Sequence, residues 1–456
     1  MNCLLAGFAR VDVTPQTAVP LEGYYIPRYA EGVLDPLQVN ALALSCQSRT
    51  MVLLSLDNCG IKQVLASKLR NAVAKTVGLA PEHVFLHTTH THTGPVTALD
   101  TGNTLVDAYI ALLEVRLAEA ARLALADLRP AKMGVGEGIA PNIAFVRRFK
   151  MKDGSIRTNP GVNNPQILEP VGQVDERVHV LRFDRQDAES LVLVNFGNHA
   201  DTVGGSKLSA DWPGFVRQTV EKALDNTKCI FFNGVQGDVN HVNVHPRAGD
   251  LNGMFMDFDD VSRGYPHARY MGRVVAGAVL QTYDKVAYTD VASLSVLSRK
   301  VLIPANLPDP AQLPEAHRIH RLHEQGRDQE LPYEGMMLTT VVAEAQRMVE
   351  LEHGPEHFEL ELSAIALGDV AILCIPGEPF TEFGRNVKLA PDWQCVLPFA
   401  LTNGFDGYFP PMDAYEQGGY EARSSPFRAG VSELLQENSL HMLQCLYHKQ
   451  EESNVS

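Results

Sequence analysis

The segment TMVLLSLD (50–57), followed by KQVLASKLRNAVAKTVG (62–78) and VFLHTTH (84–90), decides the fold class. The first and last pieces are short apolar runs, which are typical of buried strands. The piece between them has apolar residues at helical spacing. A strand, a helix and a second strand in this order predict an α/β unit in which the helix covers one face of a sheet.

The same alternation continues along the chain. Further helices are predicted at 106–128, 213–224 and 268–283. Further strands are predicted at 178–184, 190–199 and 228–234, and a hairpin at 358–367 and 370–377. We therefore predict one α/β domain over 1–456, with a mixed β-sheet core, helices packed on its faces and the functional site at strand ends.

Residues 306–354 differ in composition from the rest of the chain. They are rich in Pro, His, Glu and Arg at helical spacing, which predicts a helical insertion that borders the site. His317, His320 and His323 fall three residues apart and could share one helix face, as in a metal site. Their many charged neighbours favour a solvated helix face instead.

Composition excludes several classes of function. The 456 residues carry a net charge of -15 and no compensating Lys/Arg run, so binding to nucleic acid or to an anionic membrane is disfavoured. No apolar stretch reaches the roughly eighteen residues of a transmembrane helix. The N-terminal sequence lacks the features of a signal peptide, which predicts a cytoplasmic protein. Seven cysteines without a CxxC pair predict free buried thiols rather than disulfides or a thiolate metal site.

Two histidines stand at the end of the strand predicted at 84–90, in HTTHTHTGP (87–95). In an extended chain His90 and His92 project to the same face, because strand side chains alternate. Imidazole is a common Zn²⁺ ligand, so the pair indicates a metal site. Taken alone, the motif fits loop histidines that make ordinary hydrogen bonds equally well.

Polar residues also follow two other predicted strands. His199 lies in NFGNHADTVGG (195–205), and Asn240 lies in the Gly-rich loop of FFNGVQGDVNH (231–241). Such a loop can offer amides and backbone N–H groups to a developing oxyanion. The ordinary alternatives are a structural histidine and a polar turn with Asx-type hydrogen bonds.

Two further segments carry acidic and phenolic groups. Glu378 follows Pro376-Gly377 in LCIPGEPFTEFGR and could ligate a metal or act as a helix N-terminal charge. The loop TNGFDGYFPPMDAYEQGGYE (402–421) is rich in Tyr and Gly, and its phenols could serve binding or proton transfer, or simply pack.

Taken together, these segments resemble the neutral/alkaline non-lysosomal ceramidase family, in particular the catalytic domain of its bacterial members. The resemblance spans nearly the whole chain in the family's order, and THTHTGP and PGE are its most specific elements. The matching segments are AGFARVDVTP, DPLQVNALAL, SLDNCGI, TTHTHTGP, NHADTVGG, SADWPG, QGDVN, PGEPF, GYF and GGYE.

The resemblance implies a catalytic Zn²⁺ site. The positions that match the family's zinc ligands are His90, His199, Glu378 and Tyr408. The resemblance also implies that His92 and Tyr420 contact the substrate and stabilise a tetrahedral intermediate, and that Arg147 lies beside the site.

Asn240 departs from the family pattern, because ceramide-cleaving members carry a serine at the matching position. An amide cannot relay a proton as a hydroxyl does. The implied substrate is therefore an N-acyl compound, which is either a ceramide-like lipid of sphingolipid metabolism or a smaller soluble molecule.

The implied activity is zinc-dependent amide hydrolysis by an activated water, with His92 protonating the departing amine. Two alternatives stay open at the level of sequence. One is a zinc-dependent lyase that acts on a sugar acid, and the other is a non-catalytic metal-binding protein. The sequence also leaves open whether the chain forms a homo-oligomer.

Overall fold

The computed structural model describes residues 3–255 and 264–455. Its strands are β1 Leu5–Asp12, β2 Gly32–Val33, β3 Gln38–Cys46, β4 Arg49–Leu56, β5 Val84–Thr88, β6 Arg129–Ile139, β7 Phe145–Val146, β8 Arg148–Met151, β9 Ile156–Thr158, β10 Ile167–Pro170, β11 Arg177–Arg185, β12 Ser190–Phe196, β13 Lys207–Leu208, β14 Thr227–Asn233, β15 Val239–Asn240, β16 Ala287–Thr289, β17 Leu294–Pro304, β18 His357–Leu367, β19 Val370–Cys374, β20 Glu378–Pro379, β21 Cys395–Phe399 and β22 Tyr408–Phe409. Its α-helices are α1 Gln63–Val77, α2 Thr104–Ala126, α3 Asp211–Ala223, α4 Asn252–Phe255, α5 Tyr265–Tyr283, α6 Leu313–Glu324, α7 Gly335–Glu350, α8 Thr381–Val387, α9 Met412–Gln417, α10 Tyr420–Ser424 and α11 Val431–Val455.

The largest sheet is mixed, as predicted. Its strand order is β14-β12-β11-β6-β1-β3-β4-β5, and β16 pairs with β6 in addition. The pairs β4/β5 and β12/β14 are parallel, and the others are antiparallel. The two ends of the sheet approach each other, and the backbone N–H of Asn233, the last residue of β14, donates to Nε2 of His87 in β5 at 2.9 Å. Residues that follow β5, β12 and β14 can therefore meet.

A second sheet has the order β17-β18-β19-β21. Its β18 and β19 form the predicted antiparallel hairpin, with Leu367 opposite Val370. Gly368 sits in the turn with φ 56°, a left-handed conformation that glycine adopts without steric cost. The end of β19 leads directly to Glu378.

The two sheets pack face to face with helices outside them. Phe85, Phe183 and Phe232 of the large sheet meet Ile372 and Phe399 of the smaller one in a shared core. Helices α1, α2, α3 and α5 cover the other face of the large sheet, while α8 and α11 cover the smaller sheet. Fully burying one Phe side chain contributes about 1.5–3 kcal/mol, so this interior fixes the positions of the strand ends.

The spacing of the apolar residues in α1 explains why this helix could be predicted from the sequence. Its buried residues Leu65, Leu69 and Val73 recur every four positions and form one apolar stripe. Gly78 ends the helix with φ 71°, and its N–H bonds to the carbonyl of Ala74. The prediction of a helix over 62–78 is confirmed.

Residues 306–354, predicted as a helical insertion, contain α6 and α7. The two helices pack on each other and on Tyr25 through a small apolar cluster. The three histidines of α6 do not converge on one point. Each is paired with a different carboxylate: His317 with Glu352, His320 with Glu324 and His323 with Asp328.

One expectation from the sequence is wrong. Cys3 and Cys46 form a disulfide with Cα atoms 5.1 Å apart, whereas we expected only free thiols. The pairing arises because β1 and β3 are antiparallel neighbours, with Leu5 opposite Ser45. The other five cysteines are free.

No helix in the part of the chain that the structure describes has the length and apolar character needed to cross a membrane.

Candidate metal centre

His90 lies two residues beyond the end of β5, in a turn and not in a strand. Its φ is 73°, an unusual value for a non-glycine residue that is often found at functional sites. Its backbone N–H donates to the carbonyl of Asn58 at 2.9 Å, and its Nδ1 lies 2.7 Å from the carbonyl of Cys59. The ring is 1% exposed. The Nδ1 atom must carry a proton to bond to a carbonyl, so Nε2 points into the site.

His92 meets His90, but the reason differs from the one we expected. Strand alternation does not apply here, because β5 ends at Thr88 and His90 has a left-handed backbone. The turn nevertheless brings the two Nε2 atoms to 3.3 Å. Burial, followed by the neighbouring His90, lowers the pKa of His92 well below its ordinary value.

His199 follows β12 and is held in the same way as His90. Its Nδ1 lies 2.8 Å from the carbonyl of Gln236 and 2.9 Å from that of Val239. The side chain is fully buried, and burial together with the Arg147 guanidinium lowers its pKa. The neutral imidazole therefore carries its proton on Nδ1 and presents the lone pair of Nε2 to the site.

Glu378 and Tyr408 are brought together by backbone pairing. They are direct partners in the short parallel pair β20/β22, although thirty residues separate them in the sequence. The Oε2 atom of Glu378 lies 3.2 Å from Nε2 of His90 and 3.1 Å from Nε2 of His199. The hydroxyl of Tyr408 lies 3.4 Å from Nε2 of His199.

These donor atoms fit a metal ion. The ligand atoms of His90, His199 and Glu378 lie within 4.8 Å of one another, and all three side chains are buried. Oε2 of Glu378 has no hydrogen-bond partner among the described residues. Burial raises the pKa of Glu378, but the two histidines outweigh this and hold it well below its usual range, so the group is a carboxylate. Two imidazole nitrogens and one carboxylate oxygen that converge in a buried site can be satisfied together by a bound metal cation.

A second grouping shares His90 with Cys59 and His92. Burial raises the pKa of the Cys59 thiol, which disfavours the thiolate that a metal would need. Cys59 Sγ lies 3.9 Å from Nδ1 of His90, on the side of the ring that bonds to a backbone carbonyl. The His-His-Glu grouping is therefore the candidate metal centre.

Arg147 is buried beside the centre, as the sequence resemblance implied. Its Nε donates to Oε1 of Glu421 at 2.6 Å, and its Nη2 donates to the carbonyl of Gly237 at 2.8 Å. Its Nη1 lies 3.3 Å from Nε2 of His199. Burial opposes the charge of Arg147, but the Tyr408 phenol and the Glu421 carboxylate raise its pKa well above the usual value. The guanidinium is thus a fixed cation at the edge of the site.

Tyr420 and Asn240 occupy different positions relative to the centre. The ring of Tyr420 lies 5.6 Å from that of Tyr408 and 6.5 Å from that of Tyr25. The side chain of Asn240 donates to Oδ1 of Asn159 at 3.1 Å and accepts from the N–H of Val242 at 3.0 Å. Neither of these hydrogen bonds is made to a histidine of the centre.

The sequence reasoning did not identify two groups near the centre. Glu421 holds Arg147, and its other oxygen accepts from the hydroxyl of Thr158 at 2.9 Å. Asp201 lies 3.0 Å from Nδ1 of His241. The acidic residue two positions after His199 was the available signal for this contact.

The fold and the buried cluster define the chain as a mixed α/β protein with a candidate His-His-Glu metal centre. Among solved structures it is similar to neutral ceramidase from Pseudomonas aeruginosa, with a TM-score of 0.73 and 17% identity over 98% of this chain and 75% of that one. It is also similar to a structure described as a ceramidase complexed with C2, with a TM-score of 0.71 and 17% identity over 97% of this chain and 76% of that one. The structural neighbours are thus the proteins that the sequence resemblance named, which confirms that prediction for the fold.

No family model matches the sequence, and no curated protein matches it.

Proposed function

We propose that the chain is a zinc-dependent hydrolase that cleaves the amide bond of an N-acyl substrate. The observation that carries the proposal is the convergence of His90 Nε2, His199 Nε2 and Glu378 Oε2 in a buried site. Two imidazoles and one carboxylate form a frequent set of ligands in catalytic zinc sites. Tyr408 would add a fourth donor, the oxygen of its phenol.

The surroundings of the ligands support zinc as the ion. In both histidines Nδ1 lies within hydrogen-bonding distance of a backbone carbonyl, an arrangement that fixes the ring and raises its basicity as a ligand. Nitrogen and oxygen donors together suit zinc better than magnesium or calcium, which prefer oxygen alone. When bound, zinc supplies an activated water and polarises the amide carbonyl.

The chain's own residues supply the remaining functions. His92 lies 3.3 Å from a proposed ligand. Because its pKa is lowered, it would be neutral at rest, accept a proton from the attacking water and pass it to the departing amine nitrogen. The hydroxyl of Tyr420 would donate a hydrogen bond to the oxygen on which negative charge develops. Arg147 contacts His199 and so positions the centre from the side.

Asn240 is proposed to act at the edge of the site as a hydrogen-bonding group. It cannot relay a proton, because its amide does not titrate. Its bonds to Asn159 and Val242 would hold the loop that also supplies carbonyls to His199. The substrate is accordingly proposed as an N-acyl compound, either ceramide-like or smaller and more soluble.

The test is amine release from a panel of N-acyl substrates by the zinc-loaded protein. Turnover should be lost on chelation and restored by zinc. The His199→Ala variant should be inactive, whereas His317→Ala, which removes an exposed histidine of α6, should be fully active.

Three results would distinguish the alternatives. An unsaturated product from a sugar acid, without amine release, would favour the lyase. Bound zinc without any turnover would favour a metal-binding protein. Turnover that survives chelation would exclude the proposed mechanism.

A further inference from the structure

One loop, residues 19–30, contacts both side chains that are proposed to serve the reaction beside the metal centre. The ring of its Tyr24 lies edge-on to the ring of His92, with centroids 5.6 Å apart. The ring of the next residue, Tyr25, lies edge-on to that of Tyr420, with centroids 6.5 Å apart. We call residues 19–30 the tyrosine loop. Because successive residues of this loop touch the two groups, its position affects both.

The tyrosine loop is tied on one side to the segment that carries His92. The backbone N–H of Glu22 donates to the carbonyl of Gly94 at 2.9 Å. The guanidinium of Arg28 donates to the carbonyls of Glu22 and His92, each at 2.6 Å. The same guanidinium lies over the ring of Tyr24, 4.1 Å from its centroid. These contacts hold Tyr24 against His92.

The other side of the loop is held by the helical insertion at 306–354. Nε2 of His323 in α6 lies 3.0 Å from the carbonyl oxygen of Tyr25, to which it can donate. Nδ1 of His323 lies 2.9 Å from Oδ1 of Asp328, a contact that orients the imidazole ring. The ring of Tyr25 also packs against the apolar cluster that α6 and α7 form. His323 therefore joins the insertion to the loop beside the site.

The insertion also holds the short helix α10, which begins at Tyr420. Nε of Arg423 in α10 donates to Oε2 of Glu344 in α7 at 2.9 Å. Nε of Arg347 in α7 donates to the backbone carbonyl of Arg423 at 2.9 Å. Arg347 is buried, so water competes little for this bond. Helices α6 and α7 pack on each other and thus fix Tyr25 and Tyr420 relative to one another.

A hydrogen bond links the hydroxyls of Tyr25 and Tyr420. Burial raises the pKa of both phenols, and this hydrogen bond also acts on both pKa values. A hydroxyl has one proton to donate, so when Tyr420 donates to the oxygen of the reacting amide, Tyr25 must be the donor between the two phenols. Donation by Tyr25 strengthens the bond that Tyr420 makes, because hydrogen bonds in a chain polarise one another.

We propose that Tyr25 is a positioning residue for the hydroxyl of Tyr420, and that the helical insertion serves the reaction by holding these two side chains together. The inference rests on the proposed amide hydrolysis, in which Tyr420 stabilises the developing charge. It gives a role to His323 that His320 of the same helix does not share, since His320 pairs with Glu324 within α6.

The first experiment measures amine release by zinc-loaded Tyr25→Phe on the N-acyl substrate that the parent cleaves fastest. Phenylalanine keeps the ring and the backbone carbonyl that faces His323, and removes only the hydroxyl. We expect kcat to fall about tenfold, with KM within about twofold and zinc content unchanged, because the strengthened bond is made only when charge develops on the substrate. Tyr29→Phe is the matched control. Tyr29 lies in the same loop, is 51% exposed and should keep the kcat of the parent.

The same substitution in a Tyr420→Phe background separates positioning from a general structural effect. If Tyr25 acts through Tyr420, the double variant should have the kcat of Tyr420→Phe alone. A further tenfold loss in the double variant, or an unchanged kcat in Tyr25→Phe, would overturn the inference. Either result would leave the proposed hydrolysis standing, because the parent still releases amine.

A second experiment tests the insertion without using activity. Trypsin can cleave after Arg28 only when the tyrosine loop opens, so the rate of this cut reports the opening. We expect the rate to rise about fivefold in His323→Ala, which removes one hydrogen bond to the loop. His320→Ala is the matched control, since the two side chains are 26% and 16% exposed for His320 and His323, and it should be cut at the parent rate.

Cleavage after Arg70 serves as an internal reference, because this residue is buried in α1 and becomes accessible only on wider unfolding. Its rate should be the same in the parent and in both histidine variants. Equal rates of cleavage after Arg28 in the two variants would overturn the role of the insertion. A parent that releases no amine from any N-acyl substrate would overturn the hydrolysis and the catalytic role of Tyr25, and the trypsin result would still decide whether the insertion holds the loop.

Discussion

The ion pair between Asp57 and Arg217 lies beneath the turn that carries His90. It is bidentate, with Nη1 to Oδ1 at 3.0 Å and Nη2 to Oδ2 at 2.6 Å, and the two side chains are 0% and 3% exposed. The hydroxyl of Thr89 also donates to Asp57 at 3.3 Å. The pair therefore ties α3 to the chain that leads to the metal centre.

The substitution Asp57→Ala should be strongly destabilising. It would leave the guanidinium of Arg217 buried without its counter-charge, and breaking a buried pair in this way costs about 3–5 kcal/mol. The backbone N–H of Gln38, which donates to Asp57 at 3.0 Å, would lose its partner as well. This loss is a large share of the roughly 5–15 kcal/mol that stabilises a typical folded protein.

Urea unfolding followed by tryptophan fluorescence measures the effect, since Trp212 is fully buried in α3. The control is Glu119→Ala, which breaks the exposed pair with Arg116 and should cost less than about 1 kcal/mol. The double variant Asp57→Leu/Arg217→Met should recover part of the loss, because it leaves no unpaired charge. A loss in Asp57→Ala no larger than in the control would refute this reasoning.

Three further predictions follow from the contacts of single residues. Gly237→Ala should lower zinc affinity about tenfold, because the new Cβ would lie 2.5 Å from the backbone carbonyl oxygen of Glu378 and would displace that proposed ligand. Zinc titration measures the effect. The control is Gly277→Ala, whose Cβ would have no atom within 4 Å and which should bind zinc as the parent does. Asp175→Asn should lower the free energy of unfolding by about 2 kcal/mol at pH 7. Burial raises the pKa of Asp175, but its arginine and lysine partners outweigh this and hold the pKa below the ordinary 3.8. The contribution of Asp175 to the free energy of unfolding is therefore present above about pH 4 and is lost as the pH falls through the lowered pKa. Urea unfolding should show that the stability difference between Asp175→Asn and the parent is smaller at pH 2 than at pH 7. Tyr420→Phe should reduce kcat for amide hydrolysis about a hundredfold with unchanged zinc content, and unchanged kcat would remove the hydroxyl from the mechanism.

Local sequence patterns predicted much of the fold. The regular spacing of Leu65, Leu69 and Val73 was sufficient to predict α1, and the Gly368-Asp369 turn was sufficient to predict the β18/β19 hairpin. These elements depend on contacts between near neighbours in the chain. The order of strands in the large sheet depends on pairing between distant segments, which periodicity does not encode.

The candidate site was predictable in composition but not in geometry. Strand-end positions and family resemblance indicated His90, His199, Glu378 and Tyr408. The left-handed backbone of His90 was not predictable, because it is stabilised by contacts with the separate loop of Asn58 and Cys59.

The ion pairs around the site were missed for a related reason. Arg147 and Glu421 are 274 residues apart, and Asp57 and Arg217 are 160 residues apart. The sequence shows each charge but not its partner. Pairing of this kind emerges only when the sheets and helices are assembled.

The most direct test of the central claim is the zinc content of the purified protein beside that of Glu378→Gln and His90→Ala, with amine release measured on the same samples. The parent should contain about one zinc per chain, and both variants should lose the metal and the activity together, since each removes one of the proposed ligands. A parent without zinc, or variants that keep both zinc and turnover, would contradict the assignment of this site as a catalytic metal centre.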